Sequence, residues 1–234
     1  MLALVLSGGG LFGAWQAGAW SVLAQRMEPD LIVGCSVGSL NGYILAAGAA
    51  PEQLFDLWRD PRRASFRHLR DNLREMTAYP LRRPFALTVT DLLRMKPKTY
   101  RDSEITWRHL AASCSVPLAM PPVKLEGRWC VDGGLLNALP VWVAVELGAT
   151  RIAGLHVLPE FPSRAMQPAV SAFKAVFGHR PPVPKGVQVT TLIPSERLGS
   201  LRDALEWRAT NIERWIELGA RDAAAAVTRK SFPI

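Results

Sequence analysis

The chain has 234 residues, 49% hydrophobic and 21% charged, a balance that fits one globular domain with a sizeable core and excludes a disordered chain. No apolar run approaches the ~18 residues of a membrane span. The net charge of +8 is unevenly placed: residues 59–108 hold thirteen Lys/Arg against six Asp/Glu, and the remainder is close to neutral.

A local basic face suits an anionic partner, either a lipid headgroup surface or a nucleic acid; the plainer reading is a solvated charged face. The three cysteines, Cys35, Cys114 and Cys130, are odd in number, sit in apolar surroundings and lack zinc-ligand spacing. They predict reduced thiols in a cytoplasm and no metal site.

Leu2-Ala3-Leu4-Val5-Leu6 reads as a buried strand with no basic region ahead of it. No cleavable signal peptide is expected, because removing one would take the adjoining Gly-rich turn with it. That turn, Ser7-Gly8-Gly9-Gly10-Leu11-Phe12-Gly13, leads into a helix with apolar Trp15, Ala19, Val22 and Leu23. Gly8, Gly10 and Gly13 have the Gly-x-Gly-x-x-Gly spacing of a dinucleotide loop, but that fingerprint expects an acidic residue at the end of the second strand. The second strand, Leu31-Ile32-Val33, instead runs into Gly34-Cys35-Ser36-Val37-Gly38 and carries no acid there, so the nucleotide reading falls. The other use of three successive glycines is to bring backbone N–H groups to an oxyanion with no side chain between.

Strand, tight turn and small-residue helix (Leu40 to Ala49), with a serine at the apex, is the order of a nucleophile elbow. The serine there takes a strained backbone conformation, so its neighbours two residues away should lack a Cβ; Gly34 and Gly38 meet this. The elbow leaves Ser36 at a helix N-terminus, whose partial positive charge favours a developing alkoxide. The pentapeptide alone also fits an ordinary Gly-rich turn; its context is what makes Ser36 a candidate nucleophile.

Pro51 opens a short helix through Leu54, Phe55 and Trp58. Ala64 to Met76 is predicted helical, with Phe66, Leu69, Leu73 and Met76 on an apolar edge and Arg67, Arg70 and Arg74 on the polar side. That edge is expected either to dock on anionic membranes or to pack on the core. Pro80, Pro84 and Pro97 interrupt the next stretch, and residues 59–104 read as a basic lid or insertion with little strand content. A helix, Ile105 to Ala112, ends in a turn rich in proline (Pro117, Pro121, Pro122). Val123–Leu125 and Trp129–Val131 form two strands around Glu126-Gly127, and the second delivers Asp132-Gly133-Gly134. On spacing alone that triplet is as well an Asp-Gly turn. Then come a helix over Pro140–Leu147, a strand over Arg151–Leu158, a helix over Ala169–Phe177 and a strand over Val187–Ile193. The last helix is predicted from Ser200 as N-cap to Val227, with Leu201, Leu205, Ile212, Trp215, Ile216 and Ala220 apolar.

Strands alternating with helices predict a three-layer α/β/α sandwich with a mainly parallel central sheet, as one domain over residues 1–234. Ser36 then needs a base. Of the four histidines, His68, His109, His156 and His179, none follows a strand as a triad histidine does; His109 is read in a helix and His156 within a strand.

The Gly8–Gly13 loop, the Gly34–Gly38 elbow and the Asp132-Gly133-Gly134 triplet resemble, in order and spacing, the patatin-like phospholipases. The likeness extends to Ala112-Ser113, Pro117 and Pro121-Pro122-Val123 before the aspartate. Beyond it, Gly134-Leu135-Leu136-Asn137-Ala138-Leu139-Pro140 and Glu146-Leu147-Gly148-Ala149 continue the pattern. The likeness covers about residues 2–158, with the basic stretch as a divergent interior.

The resemblance implies a patatin-like fold and a Ser–Asp dyad, with Asp132 as general base on Ser36. Gly8, Gly9, Gly10 and Gly13 would form the oxyanion loop, and Gly34, Gly38, Gly133 and Gly134 would support the elbow and the aspartate. It implies no metal or cofactor, and lipid esters as substrates: phospholipids, lysophospholipids or glycerides. Phe12 departs from the pattern, since the family loop commonly has Lys or Arg there. Cys35 stands where Thr is common. The rival readings are a catalytically silent patatin-like scaffold that binds acyl chains, and a basic nucleic-acid binder. No aromatic-interleaved sheet motif supports the latter, and no nucleic-acid partner is expected.

Overall fold

The apolar runs of the sequence become strands of a single sheet. The computed structural model describes residues 1–63, 68–117, 119–160, 167–229 and 232. The strands are β1 (Leu2–Leu6), β2 (Leu31–Cys35), β3 (Phe85–Asp91), β4 (Lys96–Arg101), β5 (Val123–Leu125), β6 (Arg128–Asp132), β7 (Arg151–Leu155) and β8 (Gln188–Leu192). The helices are α1 (Gly13–Leu23), α2 (Val37–Ala46), α3 (Pro51–Arg59), α4 (Leu69–Met76), α5 (Trp107–Ser113), α6 (Val141–Glu146), α7 (Gln167–Phe177) and α8 (Ala209–Thr228).

Five strands are mutually parallel in the order β8-β7-β1-β2-β3, and β4 adds antiparallel to β3. β2 and β3 are buried along their whole length, as parallel strands covered on both faces must be. Ala3, Val5, Leu31, Val33 and Ala86 point to one face and pack with Val143 and Ala144 of α6. Leu4, Leu6, Ile32, Phe85 and Leu87 point to the other and pack with α1, α2, α3, α5 and α8. The expected three-layer α/β/α arrangement is thus present. Its thicker side is held by α1 against α8, where Gly18 and Gly219 permit backbone contact: a Cβ on either would lie 1.9 or 2.1 Å from a carbonyl oxygen of the other helix.

The register along β3 positions the site. β4 occupies one edge of β3 from Ala86 to Asp91. The other edge is shared: β2 pairs with its first half, ending at Cys35 opposite Thr88, and β6 pairs with its second half, Asp132 opposite Val89. β2 is parallel and β6 antiparallel to β3, so their C-terminal ends meet head to head beside two consecutive β3 residues.

This overturns the reading of residues 59–104 as a lid with little strand content. Phe85-Ala-Leu-Thr-Val-Thr-Asp is a fully buried strand of the sheet, and Pro97 lies in β4, an outer strand where a missing N–H is tolerated. The last helix also starts later than predicted, at Ala209. Ser200 instead closes a single turn by donating its N–H and O–H to Asp203 Oδ2, and the Ala204 carbonyl accepts from Leu11 N–H of the Gly loop. Ala64, Phe66 and Arg67 lie outside the described residues. The rest of that predicted apolar edge packs inward: Leu73 is fully buried, and Leu69 and Met76 lean on the core.

Candidate active site

Ser36 has φ 54° and ψ −129°, a positive φ that non-glycine residues seldom adopt and the signature of an elbow. The strain is held from several sides. The Ser36 N–H donates to Ser113 Oγ at 2.9 Å, and Ser113 O–H donates to the Thr88 carbonyl at 2.9 Å. The Ser36 carbonyl accepts from Ser39 N–H and O–H at 2.8 and 2.6 Å. A Cβ at Gly34 would fall 2.4 Å from the Gly38 carbonyl oxygen, and one at Gly38 would fall 2.3 Å from that of Leu6. The turn therefore closes directly on β1, and larger residues would push it away.

Asp132 arrives at the end of β6. Its N–H donates to the Ser115 carbonyl at 2.9 Å, and its own carbonyl accepts from Thr90 O–H at 3.0 Å. Its carboxylate accepts from Gly134 N–H at 2.7 Å, and the Cys35 sulfur lies 3.9 Å away. A Cβ at Gly133 would come 2.6 Å from Thr88 Oγ1, so this turn too rests on β3. Ser36 and Asp132 are 5% and 6% exposed. Burial raises the Asp132 pKa to about 6, against the neighbouring Ser36, the Gly134 N–H and Cys35, which favour the carboxylate. Burial, and after it the Asp132 charge, pushes the Cys35 and Cys114 thiols up, so both stay neutral.

The Gly loop lies against this pair, and a Cβ at Gly8 would sit 3.0 Å from Ser36 Cβ. Of its four glycines, two have their N–H groups engaged. Gly8 donates to the Ala138 carbonyl at 2.9 Å, and Gly13 closes a 3-10 turn on the carbonyls of Gly10 and Leu11. Gly8 and Gly13 are thereby corrected from oxyanion donors to anchors of the loop. Among the described residues the N–H groups of Gly9 and Gly10 have no partner, and Gly10 has φ 59°.

Polar residues that the sequence reading passed over hold the loop. Gln16 donates to the carbonyls of Ser7 and Leu155 at 2.9 and 3.3 Å and accepts from Asn41 at 3.0 Å; Asn41 also donates to the Gly13 carbonyl and accepts from Trp58 Nε1 at 3.1 Å. Their signal is a single amide in an otherwise apolar helix, buried only where every polar atom finds a partner. Phe12 is fully buried, edge-on to Trp215 with ring centroids 5.0 Å apart. Position 12 therefore belongs to the core between the loop and α8 and leaves no room for a cation.

A cavity of about 110 Å³ opens beside Ser36, walled mainly by apolar Leu40, Ile44, Leu54, Leu57, Leu69 and Met76. No histidine is a hydrogen-bond partner of Ser36 or Asp132 among the described residues. His109 bonds Thr106, His179 packs on Trp142, and His156, one residue past β7, lines a separate cavity.

The patatin-like phospholipase family model matches residues 4–96 and 67–145. Patatin-like phospholipase domain-containing protein 7 of Rattus norvegicus is 27% identical over 182 residues, 67% of this chain and 13% of that protein. Lysophospholipase NTE1 of Mycosarcoma maydis is 27% identical over 180 residues, 67% of this chain and 10% of that protein. The matched stretch is thus a small part of much longer relatives. The structure of VipD from Legionella pneumophila superposes with a TM-score of 0.58 at 12% identity, covering 97% of this chain and 66% of that one, a likeness of fold. With the elbow, the Gly loop and the Asp-Gly-Gly turn in place along one matched stretch, this chain belongs to the patatin-like phospholipase family.

Proposed function

We propose that the chain is a serine acyl hydrolase that cleaves carboxylic esters of lipids through Ser36 and Asp132. The observation that carries this reading is a serine on a strained elbow set beside a buried carboxylate, where the ends of β2 and β6 meet at Thr88 and Val89. Asp132 takes the hydroxyl proton as Ser36 Oγ attacks the ester carbon. Its raised pKa makes it a stronger base than a solvated carboxylate. The tetrahedral oxyanion is received by the N–H groups of Gly9 and Gly10, which lack other partners among the described residues, with the α2 N-terminus adding its dipole. Collapse expels the alcohol, which takes the proton from Asp132, and leaves an acyl-enzyme. Water, deprotonated by Asp132, then releases the fatty acid and restores Ser36. The acyl chain lies in the apolar cavity beside Ser36.

The names of the relatives favour a phospholipid or lysophospholipid among the possible esters. A silent scaffold has no use for a buried carboxylate beside a strained serine, since the pair only destabilises the fold. An anionic membrane is the surface on which the substrate is met. The basic face suited to it has Arg70, Arg74 and Arg108 around the Trp107 ring, at 5.7, 4.8 and 5.8 Å from its centroid. Among the described residues no helix is long and apolar enough to cross a membrane.

Fluorophosphonate labelling with the adduct mapped by mass spectrometry tests the proposal. A single adduct on Ser36, lost in Ser36→Ala together with ester hydrolysis, is expected. Labelling elsewhere, or full turnover by Ser36→Ala, overturns it.

A further inference from the structure

A second cavity, of about 450 Å³, lies between α6, α7 and the segment that leaves β7. It backs onto the catalytic loops. Ala138, in its wall, accepts the Gly8 N–H and would be 3.9 Å from a Cβ on Gly134; Leu158, also in its wall, would be 3.4 Å from a Cβ on Gly9.

Its polar lining carries several hydrogen-bond donors, and Glu146 is the one acid in it among the described residues. Lys174 of α7 and Arg180 beyond it bring two cations, and Trp142 and His156 bring ring nitrogens. Trp142 Nε1 and His156 Nδ1 are buried without a partner. Lys174 and Arg180 form no ion pair among the described residues, and Glu146, which also lines the cavity, is joined to neither. The groups are close enough to act on one another. Burial, then Lys174 and Arg180, pushes the His156 pKa down to about 4; burial, then Arg180, lowers that of Lys174. The imidazole is therefore neutral at pH 7 and adds no charge of its own. A buried indole N–H without an acceptor is rare in folded proteins, and beside two unpaired cations and an unpartnered imidazole nitrogen it asks for an acceptor with several oxygens. A carboxylate has two; a phosphate has enough for a guanidinium fork, an ammonium and a ring N–H together.

We propose that this cavity is a phosphate-binding subsite, formed by Lys174, Arg180, Trp142 and His156 next to the Gly loop. The phosphate is either that of a substrate headgroup or a free one. The headgroup case rests on the hydrolase reading; binding of phosphate itself does not.

Titration calorimetry with inorganic phosphate, on the full chain, decides the matter. Wild type is expected to bind, and Lys174→Gln/Arg180→Gln to bind at least about tenfold more weakly. Lys174→Arg should retain binding, and Trp142→Phe, which removes one donor and keeps the ring, should lose several-fold. Steady-state kinetics then separates the sources. A KM rise in the double variant for a soluble short-chain lysophospholipid, with a neutral monoglyceride unchanged, marks the headgroup. Lost phosphate binding with both KM values unchanged marks free phosphate as the ligand. Absence of binding to wild type, or equal affinity in wild type and double variant, overturns the subsite. If the chain hydrolyses no ester, the calorimetry alone still upholds or overturns the subsite.

Discussion

Replacing Asp132 with Asn should abolish turnover and at the same time stabilise the fold, in a way that depends on pH. The folded protein holds the carboxyl near 6 rather than 3.8 because burial disfavours its charge. At ~1.4 kcal/mol per pH unit, that displacement amounts to roughly 3 kcal/mol against the folded state once the group is ionised. The sign follows from the raised value. Below about pH 4 the carboxyl is protonated whether the chain is folded or not, and there is no penalty. As pH rises from 4 to 6 the unfolded chain ionises first, and stability falls; above 6 the full penalty is present. An asparagine has no charge to bury, can accept the Gly134 N–H and can donate to Ser36 Oγ. Asp132→Asn and wild type should therefore melt together near pH 4 and diverge as pH rises. At pH 7.5 the variant should melt higher by roughly 6–12 °C, taking ~2–4 °C per kcal/mol for a chain of this size. Thermal unfolding followed by circular dichroism at pH 4 and 7.5 measures both points. A Tm gap that does not change with pH, or a variant less stable at pH 7.5, would refute the buried-carboxylate argument even if activity were lost.

The same carboxyl sets the pH profile: kcat/KM on a neutral soluble ester should fall about tenfold per unit below pH 6 and level off above it, and a profile flat down to pH 4.5 would remove Asp132 as the base. Phe12→Arg, which would put the family's more usual cation into the loop, should instead lower stability by roughly 3–5 kcal/mol, because the ring it replaces is fully buried on Trp215; a normal denaturant midpoint would show that the loop can turn the side chain outward. Arg70→Glu/Arg74→Glu should weaken co-sedimentation with anionic vesicles and leave hydrolysis of a soluble ester intact, and equal sedimentation by wild type and variant would remove the basic face around Trp107 from any membrane role.

The glycines and the serine of the elbow were legible because local geometry alone demands them: Gly34 and Gly38 are required wherever a strand turns into a helix across another strand's backbone. Periodicity likewise placed β1, β2, β7 and α1, whose buried faces are mainly apolar. What it could not place was β3. Its seven residues contain two threonines and an aspartate, and they lie between Arg83 and Arg94 inside a stretch dominated by its basic charge. Charge in sequence reports the flanks of such a strand, whereas its burial is decided by β2 and β4 on either side. The start of α8 was hidden for a similar reason. Ser200 does cap a turn, but the carbonyl that would have continued the helix is taken by Leu11 N–H.

The missing strand explains why an aspartate almost a hundred residues from the serine ends beside it. Cys35 and Asp132 are set opposite Thr88 and Val89, and consecutive residues of one strand cannot drift apart. Thr88 further accepts the Ser113 O–H that fixes the Ser36 N–H, and its side chain is what a residue larger than Gly133 would strike. β3 is thus a common ruler for both halves of the site, and it lies in the region where the family likeness was weakest to the eye. The basic flanks and the buried strand answer to different demands. Arg70, Arg74 and Arg108 can change with the surface the protein meets. The backbone of β3 at Thr88 and Val89 cannot shift without moving Ser36 relative to Asp132.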